Sequence, residues 1–150
     1  IEVDEAFNEI DSFHAFINPQ RKVPWFVTRI HGLNNEFLDD KPIFSDIGRD
    51  LLLFLEGSEL WAHNMSFDAG MLNAEFARNR LPTLEKVDCR LNCTLQLARS
   101  TFPGQKNSLD SLLDRFAIDR SERRLHGAMI DTRLLVKVYQ NLVSYRTKTS

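Results

Sequence analysis

Two stretches of this chain place carboxylates where they could do chemistry. Near the C-terminus, RLHGAMIDTRLL (residues 124–135) sets His126 five residues before Asp131. Five residues of α-helix turn through about 500°, so the two side chains would not share one helix face. They converge if His126 lies just before the helix and folds back over its first turn, an entry that Gly127 permits. Gly127 and Ala128 also leave room beside that turn for something other than side chains. A carboxylate that holds a divalent cation, with an imidazole beside it as general base, would activate a water molecule for attack. The second stretch is AHNMSFD, residues 62–68. Here a strand ends at His63-Asn64 and Asp68 falls in the opening turn of the next helix. The helix dipole favours a carboxylate there and keeps it ionised. Each feature also has a plainer reading: a histidine cap with an unrelated acid, and a first-turn acid that merely steadies its helix.

Such groups act only if a folded frame holds them, and the chain is long enough to build one. Its 150 residues, 43% hydrophobic and 27% charged, suit a single domain (1–150) around a real core. No apolar run approaches a membrane span, and no leader is evident. A cytoplasmic protein with no membrane partner is therefore expected. The net charge of −2 conceals a polarity: acidic residues dominate the first half and basic residues the second. That hints at an anionic partner for the second half, although the face is not as basic as that of a typical duplex binder. Cys89 and Cys93 have no second Cys/His pair nearby and read as reduced, packed thiols rather than zinc ligands.

Hydrophobic spacing supplies the elements. IEVDEAFNEIDSFHAFINP reads as a hairpin, with Ile1, Val3 and Phe7 on one strand, Phe13, Ala15 and Ile17 on the other, and Pro19 closing it. A loop through residue 42 can hold short helical turns, one capped by Asn34 or Asn35. IFSDIGRDLLLFLEG predicts a helix with Ile47, Leu51, Phe54 and Leu55 inward and Gly57 as a stop. SELWAHN is a short strand. SFDAGMLNAEFARNRL is a helix with Phe67, Met71 and Phe76 on its inner stripe, and EKVDC is a short strand. LNCTLQLARSTF is a helix stopped by Pro103-Gly104, and NSLDSLLDRFAI another, capped by Asn107 or Ser108 with Leu109, Leu112, Leu113 and Phe116 buried. The last helix buries Leu134, Leu135, Val138, Tyr139 and Leu142, and RTKTS frays. Strands first, then strands alternating with helices, imply a mixed sheet covered by helices.

Against this background, HNMSFDAGML and LHGAMIDTRLL resemble the second and third motifs of the DEDDh 3′–5′ exonucleases. VPWFVTRIHGL is similar to that family's substrate-side loop, and LARSTFPGQKNSLDSLLDRFAID to the segment before its last motif. The matches run in one order over nearly the whole chain. The resemblance implies an α/β, ribonuclease-H-like mixed sheet flanked by helices, and hydrolysis of phosphodiesters at single-stranded DNA 3′ ends, in proofreading or end trimming. It implies Asp68 and Asp131 as metal ligands, with two Mg²⁺ or Mn²⁺ ions in the complete site, and His126 as the general base. His31, Gly32 and Leu33 match the loop that touches the terminal nucleotide, and Asn64 and Phe67 match residues lining the same cleft. A DNA polymerase catalytic subunit is an implied partner.

The sequence departs from the family in three places. The family's Asp-x-Glu on a first, central strand has no counterpart, so the chain is expected to be N-terminally incomplete. Glu2 and Asp4 are two apart, but stand one strand too late. Relatives often show Asp-Thr where this chain has Cys93-Thr94, and no sliding-clamp peptide follows the last helix. Two divalent ions about 4 Å apart need several carboxylates to hold them together, so Asp68 and Asp131 alone should bind at most one well. The competing expectation is a non-catalytic module that binds nucleic acid or a polymerase through a degenerate metal site. Basic residues such as Lys106, Arg123 and Arg124 are candidates to attract a phosphate backbone.

Overall fold

Twice in this chain a strand runs straight into a helix, and those two junctions frame the site. The computed structural model describes residues 1–123 and 127–150. Strand β3 (Glu59–Ala62) leads into α4 (Met65–Arg78), and β4 (Arg90–Cys93) leads into α5 (Thr94–Thr101). The strands pair in parallel, Glu59 opposite Arg90 and Ala62 opposite Cys93. Parallel neighbours need a crossover, and α4 supplies it. Ahead of this unit lie β1 (Glu2–Val3), β2 (Glu9–Asp11), α1 (Trp25–His31), α2 (Asn35–Asp39) and α3 (Phe44–Leu55); behind it lie α6 (Leu109–Arg115) and α7 (Ala128–Thr149).

The core has two parts. Leu52, Met65, Ala69, Phe76, Leu84 and Cys89 are buried where α3 and α4 cover the parallel pair. Ala98 and Phe102, from α5 and the residue after it, pack with Leu112 and Leu113 of α6 against Leu134, Val138 and Leu142 of α7. The last three recur every four residues, so they form one stripe of a long helix. Each fully buried leucine contributes about 1.5–3 kcal/mol, which makes α7 the main strut of this half. It also reaches the N-terminal hairpin. Tyr139 stacks on both Phe7 (5.6 Å) and Trp61 (4.5 Å), and Arg133 pairs with Glu9 at 3.2 Å.

Several expectations from the sequence need correction. Among the described residues the strands form two separate two-stranded sheets, β1–β2 antiparallel and β3–β4 parallel, so both orientations of a mixed sheet occur. The hairpin is tighter than expected, with β2 at residues 9–11 rather than 13–17. Asp4 accepts the amide protons of Ala6 and Asn8 and turns the chain early, with Phe7 at φ 65° inside the turn. EKVDC is not a strand: Glu85–Val87 form a 3₁₀ turn ended by Asp88 in the left-handed region. The strand is RLNC, so LNC belongs to β4 and not to the helix that follows it. On α4 the buried residues are Met65, Ala69 and Phe76, while Phe67 and Met71 are 61% and 54% exposed. Small Ala69 lets the helix lie close to the strands and turns that stripe outward. RTKTS does not fray; α7 stays helical to Thr149. The helix expectations for α3, α6 and α7 hold, with Ser108 as the α6 cap accepting from the Ser111 amide. In the loop, Asn34 caps α2 through the Phe37 amide.

Candidate active site

Asn64 joins β3 to α4 in the left-handed conformation (φ 81°, ψ 60°), which asparagine tolerates better than most residues. The turn aims the start of α4 so that the Met65 amide points at Cys93 Sγ, 3.4 Å away. Just before it, His63 sits between three elements. Its Nε2 is 2.7 Å from the Asn107 carbonyl and its Nδ1 is 2.9 Å from Thr94 Oγ1. A carbonyl only accepts, so Nε2 carries the proton. Burial lowers the pKa of this ring, opposed by the Asn107 carbonyl and reinforced by Arg99. The ring is therefore neutral at pH 7, and Nδ1 accepts from the Thr94 hydroxyl. Thr94 is fully buried, and Asn107 nearly so. His63 thus ties the ends of both parallel strands to the loop before α6.

Asp68 lies in the first turn of α4, as the sequence implies. Its ionisation does not follow the dipole argument. Partial burial raises its pKa above the usual carboxylate value, and His63 offsets this only in part. None of the hydrogen bonds or ion pairs among the described residues engages that carboxylate. An exposed acid with a raised pKa and no counter-charge is one that a cation would stabilise.

Asp131 occupies the first turn of α7, its amide bonded to the Gly127 carbonyl at 3.0 Å. Both of its carboxylate oxygens face a guanidinium: Arg123 Nε donates to Oδ1 at 2.6 Å and Nη2 to Oδ2 at 3.3 Å. Arg123 Nη1 also contacts Asp110 Oδ1 on α6. The Arg123 side chain is only 7% exposed, against 26% for Asp131. Burial works against its charge, but Asp131 and Asp110 outweigh that and hold its pKa above the ordinary arginine value. Arg123 is thus not the exposed phosphate attractor expected from the sequence, whereas Lys106 is exposed. Next to it, Arg120, Arg123, Ile130, Arg133, Leu134 and Lys137 help line a recess of about 270 Å³.

The other expected site residues group differently. His126 and Arg124 fall outside the described residues. His31, Gly32 and Leu33 form the C-terminal turn of α1. Gly32 takes φ 75°, and the Leu33 amide donates to His31 Nδ1 at 3.0 Å, which leaves Nε2 as the donor nitrogen. Asn64 and Phe67 are exposed at the start of α4. No hydrogen bond or ion pair among the described residues joins Asp68 to Asp131, and no three of their His, Cys, Asp or Glu residues form a metal-holding group. Carboxylate oxygens are the right hard donors for Mg²⁺ or Mn²⁺, so the pair fits part of such a site. Sequence reasoning missed the His63–Thr94–Asn107 bridge and the Arg123 fork. Partners separated by 31 and 44 residues leave no periodic signal. Both cysteines are free; Cys89 donates to the Leu55 carbonyl.

Asp68 and Asp131 thus stand in the first turns of α4 and α7, beside one parallel β-α unit. The chain belongs to the exonuclease family RNase_T, whose model matches residues 1–139. It is 45% identical over 141 residues to the DNA polymerase III subunit epsilon of Rickettsia conorii, covering 90% of this chain and 59% of that protein. It is 39% identical over 137 residues to the epsilon subunit of Pasteurella multocida (91% and 54%) and 40% identical over 139 residues to that of Salmonella typhimurium (91% and 57%). The chain thus spans little more than half the length of these relatives. A solved structure of exonuclease X with 5′-overhanging duplex DNA shares the fold, with a TM-score of 0.68 at 24% identity over 95% of this chain and 78% of that one.

Proposed function

We propose that the full-length protein is a metal-dependent 3′–5′ exonuclease that removes nucleotides from single-stranded DNA 3′ ends. Residues 1–150 would be its single catalytic domain. Asp68 and Asp131 hold divalent cation, Mg²⁺ or Mn²⁺, and a further pair of acids completes a two-ion site. A cation bound there would supply Lewis-acid chemistry, polarising a phosphate and lowering the pKa of a water molecule. This chain's own residues orient and deprotonate: His126 takes the proton from the water, and the turn at His31, Gly32 and Leu33, with Asn64 and Phe67, holds the terminal nucleotide. The observation that carries the reading is Asp68, a first-turn carboxylate of α4 with no ion-pair partner among the described residues, in a chain whose residues 1–139 match the exonuclease family.

In this reading the remaining acids stand on a further strand that pairs with one of the sheet edges. Among the described residues β1 and β3 each have one strand partner, which leaves an edge on each free to pair. An Asp-x-Glu there would point both carboxylates to one face. The relatives are named as polymerase III subunits, so a polymerase catalytic subunit is the proposed partner, in the cytoplasm. The test is a 3′-labelled single strand with Mg²⁺ or Mn²⁺. The full-length protein should shorten it, residues 1–150 alone should cut weakly or not at all, and His126→Ala should lose roughly 10²–10⁴-fold in rate. An intact strand with the full-length protein overturns the reading. A second reading, a module that binds ends without cutting, is favoured by the absence of a three-ligand group among the described residues. It expects strand binding without hydrolysis in the same experiment.

A further inference from the structure

Arg123 stands where a cation for Asp131 would have to stand. Its Nε and Nη2 reach one carboxylate oxygen each, at 2.6 and 3.3 Å, and Nη1 reaches Asp110 on α6. A fork of this kind is among the stronger charge-assisted contacts. The Arg123 side chain is only 7% exposed, so the guanidinium is held against the two acids rather than in solvent. It does have somewhere to remain, because Asp110 anchors the opposite side of the guanidinium. We propose that Arg123 is a positioning residue for Asp131 and a built-in competitor for the divalent cation there. On metal binding the fork releases at least one Asp131 oxygen while staying anchored to Asp110.

This rests on the reading of Asp131 as a metal ligand, and deepens it. Two consequences follow from the charges alone. Without metal, the fork fixes the rotamer of Asp131, so the carboxylate does not need to be ordered by the ion. With metal, a positive guanidinium remains within a few ångströms of a doubly charged ion and repels it, all the more in a partly buried place. Arg123 therefore trades affinity for order. Arg123→Gln keeps donor groups but removes the charge, and should tighten Mn²⁺ binding about tenfold. Arg123→Lys keeps the charge without the fork, and should stay within about threefold of the parent.

The experiment has two readouts on the full-length protein. Free Mn²⁺ is measured by electron paramagnetic resonance for the parent, Arg123→Gln, Arg123→Lys and Asp131→Asn. In parallel, the arginine Nε–H signals of the unmutated protein are followed by ¹⁵N NMR as Mg²⁺ is added. The expected results are tighter Mn²⁺ binding by Arg123→Gln, weaker binding by Asp131→Asn, and a shift of the Arg123 Nε–H signal that tracks Mg²⁺ occupancy. If amides around Asp131 respond to Mg²⁺ while Arg123 Nε–H does not, the competition is refuted and the metal reading stands. Folded Arg123→Gln with equal or weaker affinity refutes it too. If neither acid responds to any ion, the metal reading falls and takes this inference with it. Should Arg123→Gln fail to fold, the titration of the unmutated protein still decides.

Discussion

Replacing His63 by alanine tests whether the strand ends are fixed in the way described. The substitution removes a donor to the Asn107 carbonyl and an acceptor for the Thr94 hydroxyl, at 2.7 and 2.9 Å. Thr94 is fully buried and Asn107 is 6% exposed, so water cannot freely replace the imidazole at either. A buried polar group left without its partner costs about 1–3 kcal/mol. Two such groups, with some relaxation, give an expected loss of about 2–4 kcal/mol. Urea unfolding with an m-value of about 2 kcal/mol per molar would show it as a midpoint about 1–2 M lower. His63→Gln, which can restore one of the two bonds, should recover part of the loss. The pH dependence gives a second readout. The folded-state pKa of His63 lies below its ordinary value near 6.5, so the unfolded chain binds more protons once pH falls through that value. Its stabilising contribution is complete above about pH 6.5 and declines as pH drops toward the folded-state pKa. His63→Ala should lack that decline. A stability loss under about 0.5 kcal/mol, or an Nδ1-protonated ring in ¹⁵N spectra, would refute the assigned hydrogen bonds.

Other outcomes follow from the same geometry. The pKa of Asp68 is raised by burial, so its ionisation disfavours the folded state; the favourable contribution exists below about pH 3.8 and is lost as pH rises through the folded-state value. Asp68→Asn should therefore melt higher than the parent at neutral pH without metal, and adding Mg²⁺ should raise the melting temperature of the parent but not of the variant; a lower melting temperature for the variant would contradict this. Burial raises the Cys89 thiol's pKa. At Cys93 burial also opposes ionisation, but backbone amides led by Met65 outweigh it and lower the pKa. Iodoacetamide should thus label Cys93 first, as read by peptide mass spectrometry, and equal rates would count against the assigned amide contacts. Leu112→Ala empties a fully buried site between α6 and α7 and should cost about 2–5 kcal/mol in urea unfolding.

The parts of the fold that were legible in the sequence are those governed by local periodicity. Leu134, Val138 and Leu142 repeat every four residues, and Ser108 precedes an apolar run, so α7 and α6 follow from spacing and capping. The acids Asp68 and Asp131 also fall in helix first turns as expected. What spacing could not show is what each face meets. Phe67 and Met71 look like an inner stripe by apolarity, yet Ala69 and Met65 face the strands instead. RLNC reads equally well as the start of a helix, because only pairing with Glu59–Ala62 makes it a strand. The Arg123 fork and the His63 bridge depend on loops folding back across the chain, and nothing in local pattern encodes that. Desolvation of Asp68 is likewise a property of the assembled fold, and it reversed the direction that the helix dipole alone implies.

The central claim is that Asp68 and Asp131 belong to one cation site. Crystals of the full-length protein soaked in Mn²⁺ and recorded at the manganese absorption edge test it most directly. The account expects anomalous density within about 2.0–2.6 Å of carboxylate oxygens of both acids. Crystals that bind no ion at either acid, or bind one at sites unconnected with them, would contradict it.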